Sequence, residues 1–350
     1  MSSNTNTSLV LSERPSGPIV KGKTFSLKSS PAPTEADLQD GQVLLETLYI
    51  SFDPAMRGWL DDRRSYIPPV QINEVMRALT VSRVIASKSA KFTVGTIVTS
   101  ASGIQDLAIM PDSQVEKAYD LPQGGKLTDL LGVLGSTGLT AFFGMTKIGQ
   151  PKAGDTVVVS AAAGATGSVA AQIAKIAGAR VIGIAGGPQK CQWLKEELGL
   201  DEALDYKAAD FRQKFKEATP KFVDVYFDNV GGEILDLAMA RAAQFSRFVM
   251  CGGISQYNSA EKKGPGASFF NVITQRIKMQ GFIVFDYINE YDSARKQLAQ
   301  WLAEGKMKRK ETIVKGGVRN AEEAFDWLFT GKNTGKLMVE VKAENEGARL

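Results

Sequence analysis

The most regular hydrophobic pattern in the chain runs through residues 154–190, where an apolar run, a glycine-rich break, a helically spaced stripe and a second apolar run follow in order. Val157–Val159 are β-branched and uninterrupted by polar residues, as a strand buried on both faces of a parallel sheet requires. Ala161-x-x-Gly164-x-x-Gly167 then breaks the run with small residues that permit a tight turn and the close approach of a diphosphate to a helix N-terminus. A helix is expected from about Ser168 to Gly178, with Val169, Ile173 and Ile176 on one stripe and Lys175 off it. Arg180–Ala185 is a second strand. The order is that of a nucleotide-binding βαβ unit.

The alternation continues. Helices are expected at Gln189–Leu198, at Ala208–Ala218 and from Gly231-Gly232 through about Ala243. Strands are expected at Ala203–Tyr206, Phe222–Asn229, Phe245–Cys251 and Ile277–Val284. Asn289–Glu304 reads as an amphipathic helix with Ala294, Leu298, Trp301 and Leu302 inward. This pattern predicts an α/β fold with a doubly wound parallel Rossmann sheet, whose ligands lie beyond the carboxyl ends of the strands. Earlier in the chain, Gly41–Ser51 and the runs VSRVIAS, FTVGTIVTS and IQDLAIM are β-type segments between turn signals, consistent with a small barrel-like domain. A last strand is expected at Lys336–Val341, and the polar ENEGARL end should fray. The expected division is 1–134 for the β-rich part, 135–301 for the dinucleotide-binding domain and 302–350 for a return to the first.

The residues after the second strand bear on the choice of dinucleotide. An NAD site of this kind places a carboxylate there for the ribose hydroxyls. This chain has Gly186 and Gly187, followed by Lys190, a cation able to pair with a 2′-phosphate. NADPH is therefore favoured over NADH. On the residues alone, Lys190 is equally readable as a solvated charge on a surface helix.

Composition narrows the chemistry further. The 350 residues are 43% hydrophobic and 23% charged, the balance of an ordinary folded protein with room for two domains. A net charge of +4, with both signs interleaved, gives no basic stripe for nucleic acid. The N-terminal stretch lacks the pattern of a secretory signal, and no apolar run reads as a membrane span, so a cytoplasmic protein is expected. Two cysteines, Cys191 and Cys251, argue against a disulfide framework. There is no histidine, which removes every His-dependent triad and proton relay, and with two cysteines leaves no zinc ligand set. Cys191, behind Lys190, reads as an inert thiol rather than a nucleophile.

Taken together, AAAGATGSVAAQIAK, AGGPQK, DYK, FDNVGGE, CGGISQYN and GKNTGK resemble the zinc-independent branch of the medium-chain dehydrogenase/reductase superfamily. They are most similar to its leukotriene hydroxydehydrogenase, prostaglandin reductase and alkenal double-bond reductase family, with FDPAMRGWL and DDRRSYIPPVQI similar to fungal members. The resemblance implies a GroES-like β-rich domain built from both chain ends beside the Rossmann domain. It also implies NADPH-dependent reduction of the carbon–carbon double bond of an enal or enone. By the resemblance, Gly164, Ala165, Thr166 and Gly167 take the diphosphate, Lys190 and Tyr206 the adenosine phosphate end, and Asn229 the cofactor near the ribose. The stretch from Cys251 through Gly252, Gly253, Ile254 and Ser255 to Tyr257, then Phe282, Ile283, Val284 and Asn333, surround the nicotinamide half.

Tyr257 matches the tyrosine to which the family assigns catalysis. A phenol, with an ordinary pKa of about 10, stays protonated at neutral pH and can donate to a developing enolate without a metal. The alternative is an aromatic packed over the cofactor that touches nothing reactive. On the residues alone, Tyr206, Asn229 and Asn333 read equally as a core tyrosine, a turn former and a loop residue. Family members often pair as homodimers through Rossmann strands, and KMQGFIVF, residues 278–285, is the candidate edge.

The chain departs from many family members at Ala55, Ile104, Leu107 and Phe142, and lacks glycines usual near residues 78–83. These departures bear on the substrate pocket and keep two other readings open. One is a zinc-free NADP-dependent alcohol dehydrogenase or carbonyl reductase. The other is an NADPH-binding sensor or structural protein of low turnover.

Overall fold

A computed structural model describes residues 4–261, 264 and 266–344, so the fraying expected for the stretch after Glu344 lies outside the described residues. The chain begins with β1 (Thr5–Leu11), β2 (Phe25–Pro31), β3 (Gln42–Phe52), β4 (Thr80–Ser87), β5 (Ile97–Ser100), β6 (Leu107–Pro111) and β7 (Val115–Lys117). The period then changes, giving α1 (Ser136–Phe143), β8 (Thr156–Val159), α2 (Ala165–Ile176), β9 (Arg180–Ala185), α3 (Pro188–Glu196) and β10 (Glu202–Asp205). Next come α4 (Phe211–Ala218), β11 (Val223–Asp228), α5 (Gly232–Ala240), β12 (Ala242–Met250), α6 (Ile254–Tyr257), α7 (Asn271–Thr274) and β13 (Lys278–Gly281). The last elements are α8 (Tyr291–Ala303), β14 (Glu311–Val314), α9 (Ala321–Thr330) and β15 (Lys336–Glu340).

Contacts divide the chain into two units. The first holds residues up to Leu121, Lys126–Leu131 and everything from Glu311 on; the second holds Pro122–Gly125 and Gly132–Lys310. In the first unit β1 and β2 form an antiparallel pair, and a second sheet runs β14-β15-β3-β4-β5-β7 with β6 also on β3. β15 pairs antiparallel with β3, so both chain ends build this β-rich unit. Its core packs Leu9, Phe25, Phe52, Phe325 and Leu337, with Phe52 and Phe325 edge to face at 5.9 Å. Ile104 is wholly buried in the same core. That departure therefore fills the interior. Near residues 78–83 the missing glycines are not needed: β4 starts at Thr80, and no described residue there has positive φ.

The second unit has six strands in the order β10-β9-β8-β11-β12-β13, each pair parallel. This is the doubly wound order, reversing direction between β8 and β11. Val157, Val158 and Val159 are fully buried, as a strand covered on both faces should be.

Several elements differ from expectation in their bounds or in the face they bury. α2 starts at Ala165 because Gly164, extended at φ −86° and ψ 174°, is the residue before the first turn. Val169, Ala170, Ile173 and Ala174 are buried on it, but Ile176 in the final turn is 38% exposed. β13 stops at Gly281, because the Asp286 carboxylate accepts the Ile283 N–H at 3.0 Å and caps a 3-10 turn over Val284–Glu290. The 278–285 strand is thus half as long as expected. On α8, Ala294, Leu298 and Ala299 are buried, whereas Trp301 is half-buried beside Phe142 at 6.1 Å and Leu302 is half-buried too.

Candidate active site

The β8–α2 turn begins where the apolar run ends. Ala161 stands at φ +48°, the left-handed region that costs an alanine roughly 1–2 kcal/mol. A Cβ at Gly167 would lie 2.3 Å from the Ala161 carbonyl oxygen, so only glycine closes this turn. The first amides of α2, at Ala165, Thr166 and Gly167, have no acceptor within the helix and suit an anion. Ala161→Gly is expected to stabilise the protein by about 0.5 kcal/mol, since relief of strain exceeds the added chain entropy. Urea denaturation of the variant measures this, and a loss of stability would contradict the strain.

A second cluster lies at the β9–α3 turn. A Cβ on Gly186 would meet Tyr206 Cε1 at 2.8 Å and Lys207 Cε at 3.1 Å, so both side chains lie over a glycine that leaves them room. Lys207 Nζ sits 5.9 Å from the Tyr206 ring centre. Asp205 Oδ1 accepts from the backbone N–H groups of Gly187 at 2.8 Å and Lys207 at 2.9 Å, which commits that oxygen to holding the turn. Partial burial pushes the Lys190 ammonium below the usual lysine range, and the charge of Lys207 pushes it the same way. The Lys207 ammonium and the Tyr206 phenol beside Gly186, with the Lys190 charge close enough to feel Lys207, give a cluster suited to an anion such as a phosphate. The sequence motifs single out Lys190 and Tyr206 but not Lys207, which stands in DYK directly after Tyr206 and joins this cluster.

The third part lies where β8 and β11 part. Asp228, at the end of β11, is completely buried. Its Oδ1 accepts from Tyr226 Oη at 2.9 Å, Ser160 Oγ at 3.1 Å, and the N–H groups of Val230 at 3.0 Å and Gly231 at 2.9 Å. Burial raises the Asp228 carboxyl above the usual range, although each of these bonds lowers it. Ser160 Oγ in turn accepts the Asn229 N–H at 2.9 Å, and Asn229 Nδ2 donates to the Ser160 carbonyl at 2.7 Å. Asn229 is therefore fixed at the mouth of the switch point.

The 251–257 stretch is bonded to this turn. Cys251 and Gly252 both donate to the Asp228 carbonyl at 2.9 Å, Ile254 donates to Asn229 O at 3.2 Å, and Ser255 donates to Val230 O. Tyr257 Oη accepts the Gly253 N–H at 3.1 Å, which folds the ring back toward the glycines. Burial, followed by the charge of Asp228, pushes the Cys251 thiol up to about 12, so it stays a neutral thiol rather than a thiolate at neutral pH.

Met250 pairs with Gly281, so Cys251 and Phe282 leave adjacent strand ends. Phe282 packs toward Gly144 and lies 6.4 Å from the Tyr287 ring, Ile283 caps the 3-10 turn, and Val284 is buried. The second unit thus brings together Asn229 and residues 251–257, with Phe282 alongside, while Tyr206 lies against Gly186 and Lys190 stands in α3 just after that glycine. Asn333 belongs to the first unit, where its Nδ2 donates to Gly335 O at 3.1 Å.

Residues 7–118 match a family model described as the N-terminal domain of oxidoreductase, and residues 165–304 one described as zinc-binding dehydrogenase. The chain is 40% identical over 341 residues to an NADPH-dependent curcumin reductase of Escherichia coli, spanning 96% of this chain and 97% of that protein. It is 39% identical over 319 residues to prostaglandin reductase 1 of Bos taurus, spanning 90% and 93%. CurA from Vibrio vulnificus, solved in complex with NADPH, superposes with a TM-score of 0.89 at 43% identity, covering 96% of this chain and 99% of that one. With no histidine and two cysteines in its sequence, the chain belongs to the zinc-independent medium-chain dehydrogenase/reductase family, as an oxidoreductase whose cofactor is NADPH.

Proposed function

We propose that this protein saturates the carbon–carbon double bond of α,β-unsaturated aldehydes or ketones. The observation that carries the reading is Tyr257, a neutral hydrogen-bond donor whose oxygen accepts the Gly253 N–H at 3.1 Å, tied to the switch-point turn that presents Asn229. When bound, NADPH supplies the hydride that adds to the β-carbon of the substrate. Negative charge then develops on the substrate carbonyl oxygen, the Tyr257 O–H stabilises that enolate oxygen, and a proton from solvent added at the α-carbon completes the saturated product. The bond accepted from Gly253 polarises the phenol and strengthens its donation. Two relatives, named as reductases of curcumin and prostaglandin, support reduction as the direction of the reaction.

The other residues bind and orient. Gly164 through Gly167 receive the diphosphate on backbone amides, while Lys190, Lys207 and Tyr206 hold the 2′-phosphate. Asn229 takes the ribose next to the nicotinamide. Backbone groups of Cys251, Gly252, Gly253 and Ile254, with Phe282, Ile283 and Val284, form the nicotinamide wall. Asn333 enters the proposal on the resemblance alone. We place the enzyme in the cytosol, where two free thiols stay reduced. The exposed edge of β13 is the surface we assign to pairing with a second copy, and sedimentation at monomer mass would remove that assignment.

Absorbance of NADPH, followed with an enone and its saturated ketone, tests the reading. Oxidation with the enone alone supports it, and equal rates with both would move the assignment to carbonyl reduction. Tyr257→Phe is expected to lower kcat by about 10- to 100-fold, less than a fully enclosed donor would. NADPH affinity of that variant should change by less than about twofold, because the phenol acts on the substrate.

The pH dependence of cofactor binding follows from Lys190. Its charged form binds the phosphate, so NADPH affinity is full below its lowered pKa and declines as pH rises through it, earlier than for an ordinary lysine. Lys190→Arg should abolish that decline, since a guanidinium keeps its charge. A titration of NADPH affinity against pH for both proteins measures it.

A further inference from the structure

We infer that Ser255 is a positioning residue for Tyr257, acting through the Val230 carbonyl, with buried Asp228 as the anchor of the frame. The inference rests on the proposed role of Tyr257. Ser255 Oγ donates to Val230 O at 2.6 Å, and the Ser255 N–H donates to the same oxygen at 3.2 Å. Val230 O therefore carries two bonds from one residue, two positions before the phenol. The Val230 N–H is held from the other side by Asp228 Oδ1 at 3.0 Å. One residue, Val230, thus links a buried carboxylate through its N–H to the segment that carries the donor through its carbonyl.

The frame is unusual in how its anchor is used. Asp228 Oδ1 takes four bonds, whereas Oδ2 is buried with no hydrogen-bond partner among the described residues. A buried carboxylate with one oxygen left unsatisfied is costly, and the four bonds on the other oxygen offset part of that cost while they fix the groups that donate them. What they set is the conformation of residues 229–231, on which both Asn229 and Ser255 depend. α6 is only four residues long, so its own helical bonds do little to hold Tyr257 in place. The side-chain bond of Ser255 supplies that constraint. Resemblance to the family assigns Ser255 to the cofactor site; the geometry directs its hydroxyl to Val230 instead, so its effect should fall on the chemical step.

A double-mutant cycle tests this, with kcat measured on an enone and NADPH affinity measured separately by fluorescence. Ser255→Ala is expected to lower kcat by about tenfold, the scale of a misplacement well under 1 Å, while NADPH affinity changes by less than about twofold. Ser255→Thr, which keeps the hydroxyl, should restore the rate. In a Tyr257→Phe background, Ser255→Ala should cause no further loss, since the group it positions is gone. Multiplying losses in the double variant, a loss confined to NADPH affinity, or an inert Ser255→Ala beside an impaired Tyr257→Phe would overturn the positioning role alone. If Tyr257→Phe itself leaves kcat unchanged, the role of Tyr257 fails and this inference fails with it. Thermal melts of each variant separate a loss of fold from a loss of position.

Discussion

Lys190→Ala is expected to weaken NADPH binding by about 10- to 100-fold while leaving NADH binding within about twofold, the loss of one charge-assisted contact to a phosphate. The selectivity for one cofactor is the informative part. NADH lacks the 2′-phosphate, so a side chain that acts only there has nothing to lose with it. Lys190 is half-buried and its ammonium is already disfavoured by burial and by Lys207, so a dianion relieves an existing repulsion. Lys207 is more exposed, and Lys207→Ala should cost only a few-fold, about 1 kcal/mol, because water screens it. Equal weakening of both cofactors by Lys190→Ala, read by fluorescence titration, would place Lys190 away from the 2′-phosphate.

The second large effect concerns stability. Arg57→Ala is expected to destabilise the protein by about 3 kcal/mol, the lower end of the range for breaking a buried ion pair. Arg57 is 2% exposed, and its guanidinium donates to Asp61 Oδ1 at 2.7 Å and to the carbonyls of Pro15 at 2.9 Å and Gly17 at 2.8 Å. Removal leaves those carbonyls unpaired. Asp61 keeps Arg63 at 3.2 Å, which is why the lower end applies. The turn that carries Arg57 is tied at its other end as well: Asp53 accepts from buried Lys336 at 2.6 Å, and so joins Pro54–Leu60 to β15. Arg57→Lys should recover only part of the loss, because an ammonium cannot fork to three acceptors. Urea denaturation decides it, and a change below 1 kcal/mol, about the size of a surface substitution, would show the clamp to be dispensable.

These two residues also show how far the sequence could be read. Lys190 was legible because its neighbours Gly186 and Gly187 stand where a carboxylate would mark an NAD site, a local signal. Arg57 was visible only as part of a recognisable stretch, since its acceptors Pro15 and Gly17 lie some forty residues earlier in the chain. The Rossmann sheet was legible strand by strand, because fully buried parallel strands are continuous apolar runs. β9 came out at its expected bounds, Arg180–Ala185. Boundaries failed where side chains end an element: the Asp286 carboxylate stops the run after β13, and no periodicity in KMQGFIVF signals that.

The candidate site divides in the same way. Glycine positions and the tyrosines were legible as motifs. The frame behind them was not, because it joins Ser160, Asp228, Val230 and Ser255 across about a hundred residues of sequence. Ile104 is the reverse case. As a departure from family members it was taken to bear on the substrate pocket, and the structure buries it in the first unit's core.

The most direct test of double-bond reduction is the position of the transferred hydride. NADPH carrying deuterium at C4 is incubated with the enzyme and an enone, and the product is examined by NMR. The account predicts a saturated ketone with deuterium on the carbon β to the carbonyl. Deuterium on the carbonyl carbon of an unsaturated alcohol would contradict it and identify a carbonyl reductase.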